Sequence, residues 1–273
     1  MSRIKIAIAG KGGAGKTTIC ATLARLLARA GHEVVAIDGD SNPNLGPALG
    51  VTAGEGLPGF LPTSLVARRF EGPRLTESVD VVLDRFATVA PDGVRLVRMG
   101  APEHADDGCL CSAHATVSAL MADLDTEGRY VTLLDLEASP EHLSRGTARN
   151  ADVLLLVAEP YFRSLEAARL QASLAAETAI GRVAVVANKC RSANDHDAIA
   201  EFCDRHRLEL VGRIPFSESV LDADAAGRPL VEFDGDGAVV AAVAELADRL
   251  LPGGAAGAAE PETAAGEPIG EVV

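Results

Sequence analysis

The residues from Gly10 to Thr18 read Gly-Lys-Gly-Gly-Ala-Gly-Lys-Thr-Thr and contain the spacing Gly-x4-Gly-Lys-Ser/Thr. That spacing suits phosphate chemistry. The backbone N–H groups of Gly12, Gly13, Ala14, Gly15, Lys16, Thr17 and Thr18 can converge on phosphate oxygens. A following helix adds the favourable end of its dipole. Lys16 would reach the β- and γ-phosphates, and the Thr17 hydroxyl would ligate Mg2+. The string follows an apolar run and opens an amphipathic one, the strand–loop–helix context that the motif requires.

Further chemistry-bearing residues stand at the ends of apolar runs. Asp38 and Asp40 follow Val34–Ile37, and Asp135 closes Tyr130–Leu134. Carboxylates there can hold Mg2+ or its waters and orient an attacking water. Asn188 begins Asn-Lys-Cys-Arg, whereas guanine readers carry an Asp where this chain has Arg191, a side chain without an acceptor. Adenine read by Asn188, with Pro215 walling the base, is the expectation, and hence ATP as the nucleotide. Cys109 and Cys111 form a Cys-x-Cys pair ahead of a predicted helix. Two sulfurs do not complete a tetrahedral thiolate site, but two copies of the pair on a dimer axis supply four. The scattered Cys20, Cys190 and Cys203 read as packing residues.

The elements that must position these residues follow from the hydropathy pattern. Ile4–Ala9, Val34–Asp38, Val94–Met99, Tyr130–Asp135, Val153–Val157, Val183–Asn188 and Glu209–Ile214 are short and nearly all apolar, as strands covered on both faces are. Lys16–Ala30, Ala113–Asp125, Ser164–Glu177, Asp195–Arg207 and Gly237–Leu251 carry helical spacing. This alternation predicts an α/β fold with a doubly wound, mostly parallel sheet and ligands at the carboxyl ends of its strands. Asn42–Arg74 is rich in Gly and Pro and reads as a surface connection with little regular structure. Residues 1–252 read as one ATPase domain. Gly253–Val273, an acidic Ala/Gly/Pro-rich tail, reads as disordered.

Composition narrows the partners. A net charge of −14 argues against an extended nucleic-acid surface, and the tail's own Glu residues leave the body acidic. No apolar run reaches the length of a membrane span. The apolar start runs straight into the phosphate loop, with no cleavage site between. A cytoplasmic protein with reduced thiols is expected, without a membrane anchor.

The string Lys-Gly-Gly-x-Gly-Lys-Thr-Thr resembles the deviant Walker A motif of the MinD/ParA/nitrogenase-iron-protein class of phosphate-loop NTPases. That resemblance implies a homodimer sandwiching two nucleotides, with Lys11 reaching across to the partner's phosphates. It also implies Asp40 as the water-orienting carboxylate, with Asp38 and Asp135 on the metal side. The stretches 96–100, 108–111, 135–147 and 157–168 resemble CooC-type ATPases, which assist nickel insertion into carbon monoxide dehydrogenase; the likeness covers residues 3–250. It implies ATP-driven dimerisation coupled to Ni2+ or Zn2+ held at Cys109 and Cys111, for delivery to a client metalloenzyme. The rival within the class is a reductase with a dimer-bridging iron–sulfur cluster. Its second cysteine would fall where this chain has His142, which departs from that pattern. A MinD-type positioning ATPase would need a basic amphipathic C-terminal helix, and a ParA-type partitioning ATPase a basic DNA-binding surface. Neither is visible here.

Overall fold

The computed structural model describes residues 4–51, 59–69, 72–100, 110–139, 143 and 146–251. Cys109, His142 and the tail 253–273 lie outside these residues.

The strands are β1 (Ile4–Gly10), β2 (Val34–Gly39), β3 (Val66–Arg69), β4 (Gly72–Leu75), β5 (Thr88–Val89), β6 (Arg95–Arg98), β7 (Val131–Leu136), β8 (Val153–Ala158), β9 (Arg182–Cys190) and β10 (Glu209–Pro215). Eight of them form one sheet in the order β10-β9-β8-β1-β7-β2-β6-β5. All its pairs are parallel except the antiparallel edge pair of β5 and β6. The helices are α1 (Lys16–Arg29), α2 (Leu45–Leu49), α3 (Val79–Phe86), α4 (Cys111–Glu127), α5 (Phe162–Ala175), α6 (Ala193–His206), α7 (Glu218–Ala225), α8 (Leu230–Phe233) and α9 (Ala238–Leu250).

Alternation along the central strand builds two cores. In β1, Ile4, Ile6 and Ile8 face the side that α1 and α9 cover, packing with Ile19, Leu23, Val243 and Leu246. Ala7 and Ala9 face the other side, under α4, α5 and α6, with Val117, Leu120, Ala168 and Phe202. Both faces are buried, so every residue of β1, β2, β7 and β8 is buried. This is why these strands read as unbroken apolar runs rather than alternating ones.

The expectation for Asn42–Arg74 needs correction. That stretch contains the short helix α2 and most of a β3–β4 hairpin, paired from Val66↔Leu75 to Arg69↔Gly72. Gly and Pro punctuate short elements as readily as they fill loops, so composition alone hid the hairpin. Among the described residues no helix is long and apolar enough to cross a membrane.

Candidate functional site

The loop between β1 and α1 is shaped by glycines that other side chains could not replace. Gly10 has φ +146°, and a Cβ on it would lie 2.5 Å from the Val157 carbonyl oxygen. Gly15 has φ +98° and caps α1; a Cβ there would meet the Asn188 amide nitrogen at 2.5 Å. Close approach of backbone to backbone, and of backbone to a ligand, is what such positions provide.

Asn188 holds the loop from beneath. It is buried, and its Nδ2 donates to the Ala14 carbonyl at 2.6 Å. Next to it, Lys189 adopts φ +58° and its Nζ donates to the Gly13 carbonyl at 2.5 Å while pairing with Glu159 at 3.2 Å. The base-reading expectation for Asn188 thus meets a residue with one donor committed to the phosphate loop. Its side chain also lines the adjoining cavity.

Lys16 is 8% exposed and its Nζ donates to the Lys11 carbonyl at 3.4 Å. Burial lowers its pKa, and the carboxylates of Asp135, Asp40 and Glu137 act against that shift. Lys11 is only partly buried, with its ammonium 5.7 Å from the centre of the exposed Tyr161 ring.

Three carboxylates converge at the neighbouring strand ends. Asp38 of β2 and Asp135 of β7 are directly opposite each other in the sheet register. The Thr17 hydroxyl donates to Asp135 Oδ2 at 2.6 Å, while Asp135 Oδ1 is buried with no hydrogen-bond partner. Burial first, and the adjacent Asp38 charge further down, push the Asp135 pKa up to about 7, against the pull of the Thr17 hydrogen bond and Lys16. Asp38 is raised too, mainly by burial; its oxygens accept the Leu45 and Asp40 backbone N–H groups at 2.9 and 3.3 Å. Asp38 therefore also fastens the loop that leads into α2. Asp40 is half-buried and accepts the Asn42 N–H at 2.8 Å.

An orphaned acceptor beside a threonine hydroxyl, in a region of concentrated negative charge, fits a divalent cation. Mg2+ takes one or two protein oxygens and completes its octahedron with water and phosphate. Thr17 and Asp135, with Asp38 behind them, are the residues that would hold it.

A cavity of about 370 Å3 opens beside the loop, lined by Gly13, Gly15, Lys16, Thr17, Asn188 and Pro215 among others. Pro215 is where the sequence placed it. Sequence reasoning missed Phe216, Asp224 and Arg228, which line the same cavity, and did not foresee that Arg191 lies 3.4 Å over the Phe216 ring. Phe216 adjoins Pro215 and could have been suspected; α7, which carries Asp224, has no motif to betray it. The cavity wall is anchored by Arg25 of α1, 2% exposed. Its guanidinium donates to the Leu49 carbonyl at 2.7 Å and pairs with Glu232 of α8 at 2.9 Å and with Asp92.

Cys111 is the first residue of α4, on a helix packed against the same sheet, and is exposed. It is disulfide-bonded, so the expectation of reduced thiols needs correction at this position, and metal could be taken there only after reduction. Among the described residues no three His, Cys, Asp or Glu side chains converge as a metal-binding group. Cys20, Cys190 and Cys203 are buried, and burial raises their thiol pKa values, to about 11 for Cys203; this is the packing role expected of them.

Comparison with known proteins decides the class. The family model described as the CobQ/CobB/MinD/ParA nucleotide binding domain matches residues 5–230. The chain belongs to this family. It is 38% identical over 234 residues to the carbon monoxide dehydrogenase accessory protein CooC of Rhodospirillum rubrum, covering 82% of this chain and 88% of that one. It is 32% identical to an uncharacterized ATP-binding protein of Methanocaldococcus jannaschii, covering 83% and 91% of the two chains. Among solved structures, a ParA family ATPase from Chlorobium tepidum superposes with a TM-score of 0.69 at 18% identity, covering 90% of this chain and 98% of that one. MinD of Aquifex aeolicus gives 0.66 at 20%, covering 90% and 96%. These structural neighbours establish the fold, a doubly wound phosphate-loop NTPase. The protein is an ATPase of the MinD/ParA class, and the resemblance to CooC-type ATPases read from its motifs holds along most of the chain.

Proposed function

We propose that this ATPase is a metallochaperone. Two copies close around two ATP molecules, hold one transition-metal ion between their Cys109/Cys111 pairs, and release it to a client metalloenzyme of the carbon monoxide dehydrogenase kind. The observation that carries the reading is the Cys-x-Cys sequence, whose second cysteine begins α4, in a chain so similar to a protein named as a carbon monoxide dehydrogenase accessory protein. Nickel is the cargo that the resemblance implies, and Zn2+ suits the same thiolates.

On this reading the site residues divide the labour as follows. Gly12–Thr18 cradle the phosphates and Lys16 balances their charge. Mg2+, held by Thr17, Asp135 and Asp38, would supply charge neutralisation on the β- and γ-phosphates. Asp40, just past the end of β2 and near enough to Lys16 to oppose the lowering of its pKa, is the carboxylate assigned to orient the attacking water. Lys11, which lies against Tyr161, would leave its own subunit and stabilise charge on the partner's nucleotide. Pro215 and the cavity beside Asn188 take the adenosine. ATP can drive transfer only by binding the open and closed states differently.

The test is anaerobic purification with metal analysis of the wild type and of the Cys109→Ser/Cys111→Ser protein. About one zinc or nickel per dimer, lost in the variant, is expected from four-thiolate coordination. About four irons per dimer with a broad visible absorption band would replace the chaperone by an iron–sulfur reductase. In parallel, Lys11→Ala should abolish ATP-dependent dimerisation or slow turnover; a variant unchanged in both removes the in-trans role.

A further inference from the structure

Position 191, where guanine readers carry an aspartate, holds an arginine that the fold turns to a different use. Its guanidinium lies 3.4 Å over the Phe216 ring. Phe216 lines the cavity beside the phosphate loop and Arg191 does not, so the cation covers the side of the ring that the cavity leaves unused. Backbone contacts fix both partners. The Phe216 N–H donates to the Cys190 carbonyl at 3.0 Å, next to the register pair of Cys190 and Pro215 that ends β9 and β10. The Arg191 N–H donates to Asp195 Oδ2 at 2.7 Å, and the same oxygen accepts the Ser192 N–H at 3.1 Å in the capping box that opens α6. Ring and guanidinium thus rise from two adjacent strand ends, each tied at its root.

This pairing bears on what the cavity can recognise. A cation over one face of a phenyl ring is attracted by the ring's quadrupole. The contact holds the ring in one orientation, so little ordering is left for a ligand to impose. An arginine has no acceptor for the edge of guanine, and this one is engaged with Phe216. Asn188 already has one amide donor committed to Ala14. Edge reading from the Asn-Lys-Cys-Arg segment is therefore curtailed, and recognition of a base falls more heavily on its face. Val220 and Leu221 of α7 line the same cavity, and Leu221 is 58% exposed, an apolar surface that a bound base would cover.

We propose that Phe216, backed by Arg191, is the stacking platform for the nucleobase and selects purines over pyrimidines. The two fused rings of a purine overlap a phenyl ring over more apolar area than the single ring of a pyrimidine does. The proposal rests on the reading that this cavity takes the adenosine of ATP.

Dissociation constants for ADP, UDP and inorganic diphosphate are measured with Mg2+ by isothermal titration on the full chain. Phe216→Ala should weaken ADP about tenfold or more, the loss of one base stack, and leave diphosphate within about twofold. The same variant should bring ADP and UDP within about threefold of each other. Phe216→Tyr, which keeps the ring, should retain both the affinity for ADP and the preference for it. Arg191→Gln, which removes the backing cation, should cost ADP about twofold to fivefold with diphosphate again unchanged. Should Phe216→Ala fail to fold, Phe216→Leu fills the volume without a ring and carries the same expectation. A ringless variant that binds ADP as the parent does, keeps the parent's ratio of ADP to UDP, or loses diphosphate in proportion to ADP overturns the proposal. The parent chain separates the two claims. If it binds ADP no more tightly than diphosphate, the cavity takes no base and the adenosine reading falls with the platform. If it binds ADP more tightly and the ringless variant is unaffected, the platform alone falls.

Discussion

The phosphate loop and the start of α4 are held in place by different means. Around the loop, neighbouring strands grip the loop's own backbone. Gly10 lies against the Val157 carbonyl, Ala14 is gripped by Asn188, and Gly13 by Lys189, so the cradle is built from β1, β8 and β9 at once. The start of α4 has no side-chain cap hydrogen bond at Leu110, and polar side chains at His114 and Ser118 bind it to residues 146–150. The loop is anchored from three strands, and α4 by residues 146–150 at its second turn and by Arg74 and Leu75 at Asp123 further along. The contrast teaches how a ligand of constant shape is best held. Phosphate groups are the same in every cycle and reward rigidity.

Four expected outcomes break or sharpen this contrast. The largest is Lys16→Ala, which removes the buried cation from the phosphate site. Steady-state ATP turnover should fall by at least about a hundredfold, as it does when a preorganised charge-stabilising group is deleted. Retained turnover would defeat the assignment of the loop. Next, Asn188→Ala leaves the buried Ala14 carbonyl without its donor, and chemical denaturation should show a loss of about 1–3 kcal/mol. A smaller loss would mean that the loop keeps its shape without the strand beneath it.

Third is the pH dependence of Mg2+-nucleotide binding. The folded pKa of Asp135, about 7, lies above its ordinary 3.8, so the folded cation-free chain keeps a proton that the unfolded chain gives up. This group's contribution to stability is therefore full below about pH 4 and is lost as pH rises through about 7. The cation reverses the preference because it needs the ionised form. Affinity for Mg2+-nucleotide should weaken about tenfold for each pH unit below 7 and level off above it. A flat profile by titration fluorescence would remove Asp135 from the metal side. The smallest effect is on the other region: Ser118→Ala deletes one stitch and should cost about 1 kcal/mol in the same denaturation assay. A cost equal to that of Asn188→Ala would erase the difference between the two footings.

Much of this molecule was legible before its coordinates. The seven apolar runs correspond to β1, β2, β6, β7, β8, β9 and β10 because strands buried on both faces need no alternation to be recognised. The phosphate loop was legible because its residues are contiguous, and the Asp38–Asp135 pair because strand ends in a parallel sheet share one edge. What escaped shares the opposite property. The β3–β4 hairpin is bounded by arginines and glycines rather than apolar runs. Arg191 on Phe216, Lys189 on Gly13 and His114 on Thr147 join residues far apart in the chain or of unremarkable type, so no local pattern announces them. Asn188 was seen as a base reader because motifs record which residue types recur, whereas its bond to Ala14 exists only in three dimensions.

The side-by-side placement of Asp38 and Asp135 also has a calorimetric signature. Near neutral pH the empty pocket is partly a store of hydrogen ions, and loading it with Mg2+ and nucleotide discharges them into the solvent. Heats of binding recorded in phosphate and in Tris will then differ by the ionisation enthalpies of those buffers, and the slope of one against the other counts the protons released at this pair of strand ends.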